Sequence, residues 1–217
     1  MKNIIFIAPP AAGKGTISEM IEDKYKIPHI STGALLREFS NRNDELGKEV
    51  KTVINSGGLV NGELMIKLIK QRITQQDCYN GFILDGFPRN VPQAELYDEL
   101  LQKLNKDLGM VILLEINKET AMKRIVGRVS CPKCNKVYNT TSPEMAPKQT
   151  NKCDECGSEL ITRTDDNEET FNKRFSTYLR ETQPLIEYYE NKGNLYKIDS
   201  SGSTRSAFQA IEELIND

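Results

Sequence analysis

The sequence has no tryptophan, a single histidine, no internal repeat and no low-complexity segment. No apolar run approaches the ~18 residues of a membrane-spanning helix, and the N-terminal apolar run ends at Ala8, too early for the core of a signal peptide. Lys and Arg total 29 against 31 Asp and Glu, so we expect neither a nucleic-acid nor a membrane partner. These absences predict a cytoplasmic protein in which disulfides are rare, and nothing indicates more than a monomer.

Short apolar runs alternate with amphipathic helical patterns along the chain. The strand candidates are residues 3–7, 27–30, 81–84, 110–116 and 195–198, and the helical patterns cover 17–26, 34–42, 45–56, 62–75, 91–105, 118–127, 167–192 and 204–215. Apolar strands separated by helices predict an α/β fold with a five-stranded parallel sheet flanked by helices. Ligands of such sheets bind at the carboxyl ends of the strands, so functional residues should follow strands.

The first strand candidate runs into a small-residue loop, residues 8–16, and then into a helical pattern. In that context backbone N–H groups can surround phosphate oxygens, Lys14 can reach the outer phosphates, and Thr16 can bind Mg²⁺. The general pattern for such loops has glycine where this chain has Ala8, and a positive φ at Ala8 or Ala11 would cost roughly 1 kcal/mol or more. The alternative is a strand-to-helix turn with an ordinary surface lysine. We favour phosphate binding.

Two further clusters follow strand candidates. Arg37 lies at least one turn into the helical pattern after the second strand, where its guanidinium can bind phosphate. Asp85 follows the third strand and can organise Mg²⁺ beside the phosphate loop. Arg89 comes next on a proline-stiffened turn, and the Gln93 amide can contact a base edge. Taken alone, Arg37 is more simply interpreted as a solvated arginine. Gln93, taken alone, is more simply interpreted as a surface residue of a helix.

Four of the five cysteines form the pattern C-x2-C-x18-C-x2-C. This spacing suits four thiolates around a structural zinc ion, with no open position for catalysis: Cys131, Cys134, Cys153 and Cys156. A disulfide pair is a weak alternative in a cytosolic chain. A zinc ribbon that binds nucleic acid is a stronger alternative than a disulfide. However, this segment carries acidic residues among its lysines and has no dense basic face. We assign no role to Cys78.

Several motifs occur in a fixed order: Pro-x-x-x-Gly-Lys-Gly-Thr, Ser-Thr-Gly, Asp-Gly-Phe-Pro-Arg and Arg-Ile-Val-Gly-Arg. Together they resemble an adenylate kinase of the long bacterial type, over essentially the whole chain. The resemblance implies a P-loop nucleoside monophosphate kinase fold with a small helical insert and a zinc-bearing lid. Its segments would be a core (1–30, 61–127 and 165–217), an NMP-binding insert (31–60) and a zinc-binding lid (128–164).

The resemblance also implies the reaction and its residues. The reaction would be the Mg²⁺-dependent, reversible transfer of the terminal phosphoryl group of ATP to AMP, giving two ADP. The ATP-binding positions would be Gly13, Lys14, Gly15, Thr16, Arg124, Arg128 and Tyr138. The AMP-binding positions would be Thr32, Arg37, Leu59, Val60, Gly86, Arg89, Gln93, Arg163 and Arg174. The catalytic positions would be Lys14, Asp85, Arg89, Arg124, Arg163 and Arg174.

Physical chemistry is consistent with that reaction. A phosphate nucleophile with a pKa of about 6 is mostly ionised at neutral pH, so no general base is needed, and we interpret His29 as a packed or surface residue. Catalysis would rest on positioning two polyanions and neutralising their charge. Two alternatives stay open: a kinase for CMP, UMP or GMP, and a non-catalytic nucleotide-binding module with a zinc ribbon.

Overall fold

The computed structural model describes residues 3–56 and 58–216. Residues 1, 2, 57 and 217, which fall within the predicted core and NMP-binding segments, lie outside the described residues. Within the described chain, no helix is both long enough and apolar enough to cross a bilayer.

Five of the strands form one parallel sheet in the order β2-β3-β1-β4-β7. The strands are β1 (Ile4–Ile7), β2 (His29–Ser31), β3 (Ile83–Asp85), β4 (Met110–Glu115), β5 (Arg128–Ser130), β6 (Val137–Asn139) and β7 (Leu195–Asp199). The register pairs Phe6 of β1 with Asp85 and Ile112 on its two sides. The chain that leaves β1 therefore emerges at the centre of the carboxyl edge of the sheet, beside the end of β3.

Helices connect and cover these strands. They are α1 (Lys14–Tyr25), α2 (Thr32–Ser40), α3 (Glu45–Ser56), α4 (Gly62–Ile73), α5 (Val91–Lys103), α6 (Lys118–Val126), α7 (Glu168–Thr177), α8 (Pro184–Asn191) and α9 (Thr204–Asn216). Side-chain oxygens cap several of them: Ser31 caps α2, Asn90 caps α5 and Asn167 caps α7, each accepting a bond from a backbone N–H in the first turn.

The core lies on both faces of the sheet because alternate strand residues point to opposite sides. Ile5 and Leu84 belong to the larger apolar cluster, which α4, α5 and α8 complete. Ile4 and Ile83 belong to the second cluster, together with residues of α1 and α9. The predicted fold class, a five-stranded parallel sheet flanked by helices, is confirmed.

The structure differs from the predicted elements in two places. The helical pattern of residues 167–192 is not one α-helix, because a π-helical turn, Tyr178–Thr182, separates α7 from α8. The segment between α6 and α7 contains the antiparallel hairpin β5–β6, for which the sequence analysis proposed no strands. Both features depend on backbone bonds that apolar periodicity does not encode.

Candidate active site

The loop after β1 enters α1 through left-handed backbone. Gly13, the N-cap residue of α1, has φ of 93°, a conformation natural to glycine, and Lys14 is the first helical residue. Ala11 has φ of 62°, whereas Ala8 is not among the described residues with positive φ. The loop thus holds one strained alanine, and it directs the start of α1, with its free N–H groups, into the cleft.

Lys14 is partly buried and lines this cleft. Burial lowers the pKa of its ammonium group to about 8; the Asp85 carboxylate opposes that shift, while the positive charges of Arg89 and Arg174 add to it. Its Nζ lies 3.4 Å from the carbonyl oxygen of Ala8, a weak contact. The ammonium is therefore charged at neutral pH and only loosely bound, so it can accept an anionic partner.

Asp85 ends β3 beside the phosphate loop. Burial alone would raise the pKa of its carboxyl group, but His29 and the Lys14 ammonium outweigh it and hold that pKa below its ordinary value. His29 Nε2 lies 3.4 Å from Asp85 Oδ2, without hydrogen-bond geometry. An ionised carboxylate in the cleft that Thr16 also lines offers the hard oxygen ligands that Mg²⁺ prefers.

The turn after Asp85 packs closely against the first residue of α2. Thr32 is buried and donates its hydroxyl to the Asp85 carbonyl oxygen at 2.9 Å. Gly86 has φ of 87°, and a Cβ on it would lie 2.7 Å from the Thr32 hydroxyl oxygen, so this position requires glycine. The contact fixes the end of β3 against α2, which carries Arg37.

Gln93 is buried in the first turn of α5 and its amide is bonded to backbone. Its Oε1 accepts from the Arg89 N–H at 2.9 Å, and its Nε2 donates to the Val60 carbonyl at 3.3 Å. The side chain is therefore not a free surface residue. It connects the segment at Val60 to the turn at Arg89, and both segments line a small pocket beside the main cleft.

The cleft concentrates cationic side chains. Burial, reinforced by neighbouring arginines, lowers the pKa of both Arg89 and Arg163 to about 10 and also lowers the pKa of Arg37. Asp85 lies near Arg89 and opposes the shift of its pKa. Two further carboxylates face this group: Asp166 forms a bidentate ion pair with Arg128, and Asp165 Oδ2 accepts from Arg174 at 3.0 Å. Desolvation is the largest cause of the depressed arginine pKa values, and cationic side chains drawn together in a cleft suit a polyanionic ligand.

A cleft of about 1070 Å³ brings most of the predicted residues together: Gly13, Lys14, Gly15, Thr16, Arg37, Leu59, Asp85, Gly86, Arg89, Arg124, Arg128, Tyr138, Arg163 and Arg174. Thr32, Val60 and Gln93 line the smaller pocket instead. That pocket also shares Arg37, Leu59, Gly86, Arg89 and Arg174 with the cleft. The predicted nucleotide residues therefore surround one continuous space with two lobes.

The cysteines form two similar turns that face each other. In each turn the N–H of the first cysteine donates to the carbonyl five residues later, Cys131 to Lys136 and Cys153 to Ser158, both at 2.9 Å. The residues four positions after these cysteines, Asn135 and Gly157, have φ of 62° and 70°. Asn135 and Gly157 therefore occupy equivalent left-handed positions in the two turns, which glycine and asparagine adopt readily.

The four sulfur atoms, one from each cysteine of the pair of turns, lie within 4.8 Å of one another. Three separations are 3.4, 3.5 and 3.7 Å, from Cys131 to Cys156, from Cys134 to Cys153 and from Cys134 to Cys156. Tetrahedral Zn–S bonds of ~2.3 Å place sulfur atoms about 3.8 Å apart, whereas a disulfide is ~2.05 Å long. The donor set fits a structural zinc ion better than disulfides.

Tyr138 lies between this cysteine cluster and the cleft. Its ring is buried in the small apolar cluster of the lid, its hydroxyl oxygen accepts from the Asp154 N–H at 2.8 Å, and it lies 3.5 Å from Cys153 Sγ. Arg124, at the end of α6, donates to the Gly202 carbonyl at 2.7 Å and so contacts the turn after β7. Both side chains are engaged within the protein as well as lining the cleft.

The sequence analysis missed two groups of cleft residues. Gly202, Ser203 and Thr204 follow β7, and the rule that ligands bind at strand carboxyl ends would have found them. Tyr178 and Thr182 lie in the π-helical turn, which had been taken as part of a regular helix. For these two residues apolar periodicity contained no signal.

Comparison with known proteins adds independent evidence. Residues 6–194 match the family model described as adenylate kinase. The chain is 45% identical over 213 residues to an adenylate kinase of Archaeoglobus fulgidus, covering 98% of this chain and 97% of the relative. It is 42% identical to one of Fervidobacterium nodosum, with the same coverage, and 43% identical to one of Thermotoga petrophila over 202 residues, covering 93% and 91%.

Proposed function

The chain belongs to the adenylate kinase family, and we propose that its cleft reversibly transfers the terminal phosphoryl group of ATP to AMP, giving two ADP. The observation that carries the proposal is that seven of the predicted cationic side chains line one cleft together with the phosphate loop: Lys14, Arg37, Arg89, Arg124, Arg128, Arg163 and Arg174. Two polyanionic nucleotides would supply the opposite charge. The residues would act by positioning and by charge neutralisation, as phosphoryl transfer requires.

On the ATP side, the backbone N–H groups of Gly13, Gly15 and Thr16 would bind the phosphates at the N-terminus of α1. Lys14 would neutralise the outer phosphates. Arg124 and Arg128, together with Tyr138, would complete this lobe from α6 and the lid.

Mg²⁺ is the cofactor that the carboxylate of Asp85 and the hydroxyl of Thr16 would hold in place. Bound with ATP, the ion would neutralise phosphate charge. Asp85 suits this role because His29 and Lys14 keep it ionised.

On the AMP side, Arg37, Arg89, Arg163 and Arg174 would bind phosphate. Thr32, Leu59, Val60 and Gly86 would shape the pocket, and the Gln93 amide would contact the base. Because Gln93 bonds to backbone at both ends of its amide, it is already oriented towards this pocket. Selectivity for AMP over CMP, UMP or GMP would depend on this residue and on the size of the small pocket.

Two inserts, residues 31–60 and 128–164, would close over the cleft to exclude water during transfer and open to release products. Zinc, held by the four cysteines, would keep the second insert folded. Action as a cytoplasmic monomer stays a prediction from the sequence.

The test replaces Lys14. We expect Lys14→Met to lower the rate of ADP formation from MgATP and AMP by at least about 10³-fold, because an oriented charge stabilising the transition state is lost. Lys67→Met, at an exposed position of α4, is the matched control and should keep full activity. Zinc content and the unfolding midpoint should match the wild type in both variants. Retained turnover in the Lys14 variant would contradict the site assignment.

A further inference from the structure

Thr182 makes an unusual hydrogen bond for a threonine in a helix. Thr52 and Thr177, which lie in helices, and Thr74, the C-cap residue of α4, donate their hydroxyls to the carbonyl four residues earlier, at 2.9–3.0 Å. Thr182 instead donates to the Arg89 carbonyl oxygen at 2.7 Å, across 93 residues of chain. Thr182 is buried, with only 7% of it exposed, and Arg89 is partly buried, so the bond is largely shielded from solvent. It therefore contributes to tertiary structure rather than to its own helix.

The π-helical turn explains why Thr182 can reach Arg89. The Gln183 N–H donates to the Tyr178 carbonyl at 2.9 Å, a bond to the fifth preceding residue. Such a turn accommodates one extra residue without breaking the helix, and π turns occur frequently at functional sites. Here the turn places Tyr178 and Thr182 on the wall of the cleft.

Arg89 is held at three points, all outside its guanidinium terminus. Its N–H donates to Gln93, its side-chain Nε donates to the Gly86 carbonyl at 2.8 Å, and its own carbonyl accepts from Thr182. Fixing backbone and Nε leaves the two terminal nitrogens free to face the cleft. Like charge from Arg174 would otherwise push this guanidinium aside.

We propose that Thr182 is a positioning residue that fixes Arg89 for the phosphate of the acceptor nucleotide. The inference rests on the proposed function, in which Arg89 binds that phosphate. The contact also connects two parts of the site. The helical segment formed by α7 and the π-helical turn carries Arg174 and, through Thr182, sets the position of Arg89.

The experiment measures AMP and ATP dissociation constants and steady-state constants for four proteins. Thr182→Val removes the hydroxyl at nearly constant volume and leaves the Arg89 carbonyl unpaired. We expect AMP affinity to fall about 10-fold and KM for AMP to rise similarly, since a buried polar group without its partner costs this much. ATP affinity should change less than about 2-fold. Thr182→Ser should restore AMP affinity, and Thr74→Val, which loses a hydroxyl bonded within its own helix, should resemble the wild type.

Unchanged AMP affinity in Thr182→Val would overturn the inference, as would an equal loss of AMP and ATP affinity or a failure of Thr182→Ser to restore binding. If the valine variant does not fold, Thr182→Ala provides the same comparison with a smaller side chain. The wild-type protein tests the proposed function separately: if it neither binds nor phosphorylates AMP, the proposed function fails, whatever the Thr182 variants do.

Discussion

The parallel sheet and the cysteine-bearing segment are stabilised in opposite ways. In the sheet, β1, β3 and β4 are buried on both faces by two large apolar clusters. The segment from β5 to Ile161 has a short two-stranded sheet and an apolar cluster of only Cys131, Tyr138, Cys153 and Leu160 as its buried residues. Two of those four residues are themselves proposed metal ligands, so without the metal this cluster loses its centre.

The two regions therefore depend on different sources of stability. The sheet positions Lys14, which comes after β1, and Asp85, which ends β3. The core of the sheet is stabilised by apolar burial. The cysteine-bearing segment buries few apolar residues, and metal binding would supply folding free energy to it. In the proposed function this segment would close over the cleft, and its separate source of stability would let it move without disturbing the sheet.

Removing the metal should give the largest difference between the two regions. Structural zinc contributes on the order of 10 kcal/mol to folding. We expect a chelator to abolish hydrogen-exchange protection of lid amides such as Cys131 and Leu160, whose N–H groups bond within the lid. Amides of β1 and β4 should stay protected. Loss of protection throughout the sheet would contradict the separation.

A cavity in the sheet should have the converse effect. Leu84 of β3 is fully buried, and Leu84→Ala should lower the global free energy of unfolding by about 3 kcal/mol, leaving zinc affinity unchanged. Denaturant unfolding and chelator competition measure the two quantities. Leu46→Ala, at an exposed leucine of α3, is the control and should cost less than about 1 kcal/mol. A large change in zinc affinity for the Leu84 variant would show that the regions are coupled.

The contact between β5 and the start of α7 should respond to loss of a buried ion pair. The Asp166 side chain is fully buried and pairs with Arg128, whose side chain is 20% exposed. Asp166→Ala should destabilise the attachment of β5 to the start of α7 by about 2 kcal/mol, because Arg128 is left partly desolvated. Asp165→Ala breaks a more exposed pair, with Arg174, and should cost less than about 1 kcal/mol. Hydrogen exchange of β5 measures the difference, and equal effects would contradict it.

The smallest expected effect lies in the phosphate loop. Ala11 has positive φ and Ala8 does not. Ala11→Gly should therefore raise stability by about 0.5 kcal/mol, because relief of strain exceeds the entropy cost of glycine. Ala8→Gly should lower stability by a similar amount, because only the entropy cost applies. Thermal unfolding of both variants tests the sign, and a loss of stability in Ala11→Gly would show that the alanine is unstrained.

The sequence was most informative where local chemistry and topology agree. The apolar runs predict the strands, the Gly-Lys loop predicts a phosphate site, and the aspartate at the end of β3 predicts a Mg²⁺ site. Parallel topology then brings the ends of these strands together. The cysteine spacing and its turn residues likewise predicted a compact metal site, and the sulfur separations fit one.

The sequence was least informative where side chains act across elements. Asp166 and Asn167 are both residue types that can cap a helix, and the local sequence does not show that Asn167 caps α7 while Asp166 pairs with Arg128. The π turn at Tyr178–Thr182 continues a helical apolar pattern, so periodicity could not reveal it. Gln93 could be placed on a helix from sequence, but not its two backbone partners. Such contacts depend on tertiary geometry that no local pattern specifies.

The most direct test of the central claim is a coupled assay of ADP formation from MgATP, with AMP, CMP, UMP and GMP supplied in parallel to folded, zinc-loaded protein. The account predicts turnover that strongly favours AMP. Turnover that favours another acceptor, or no turnover with any acceptor, would contradict it.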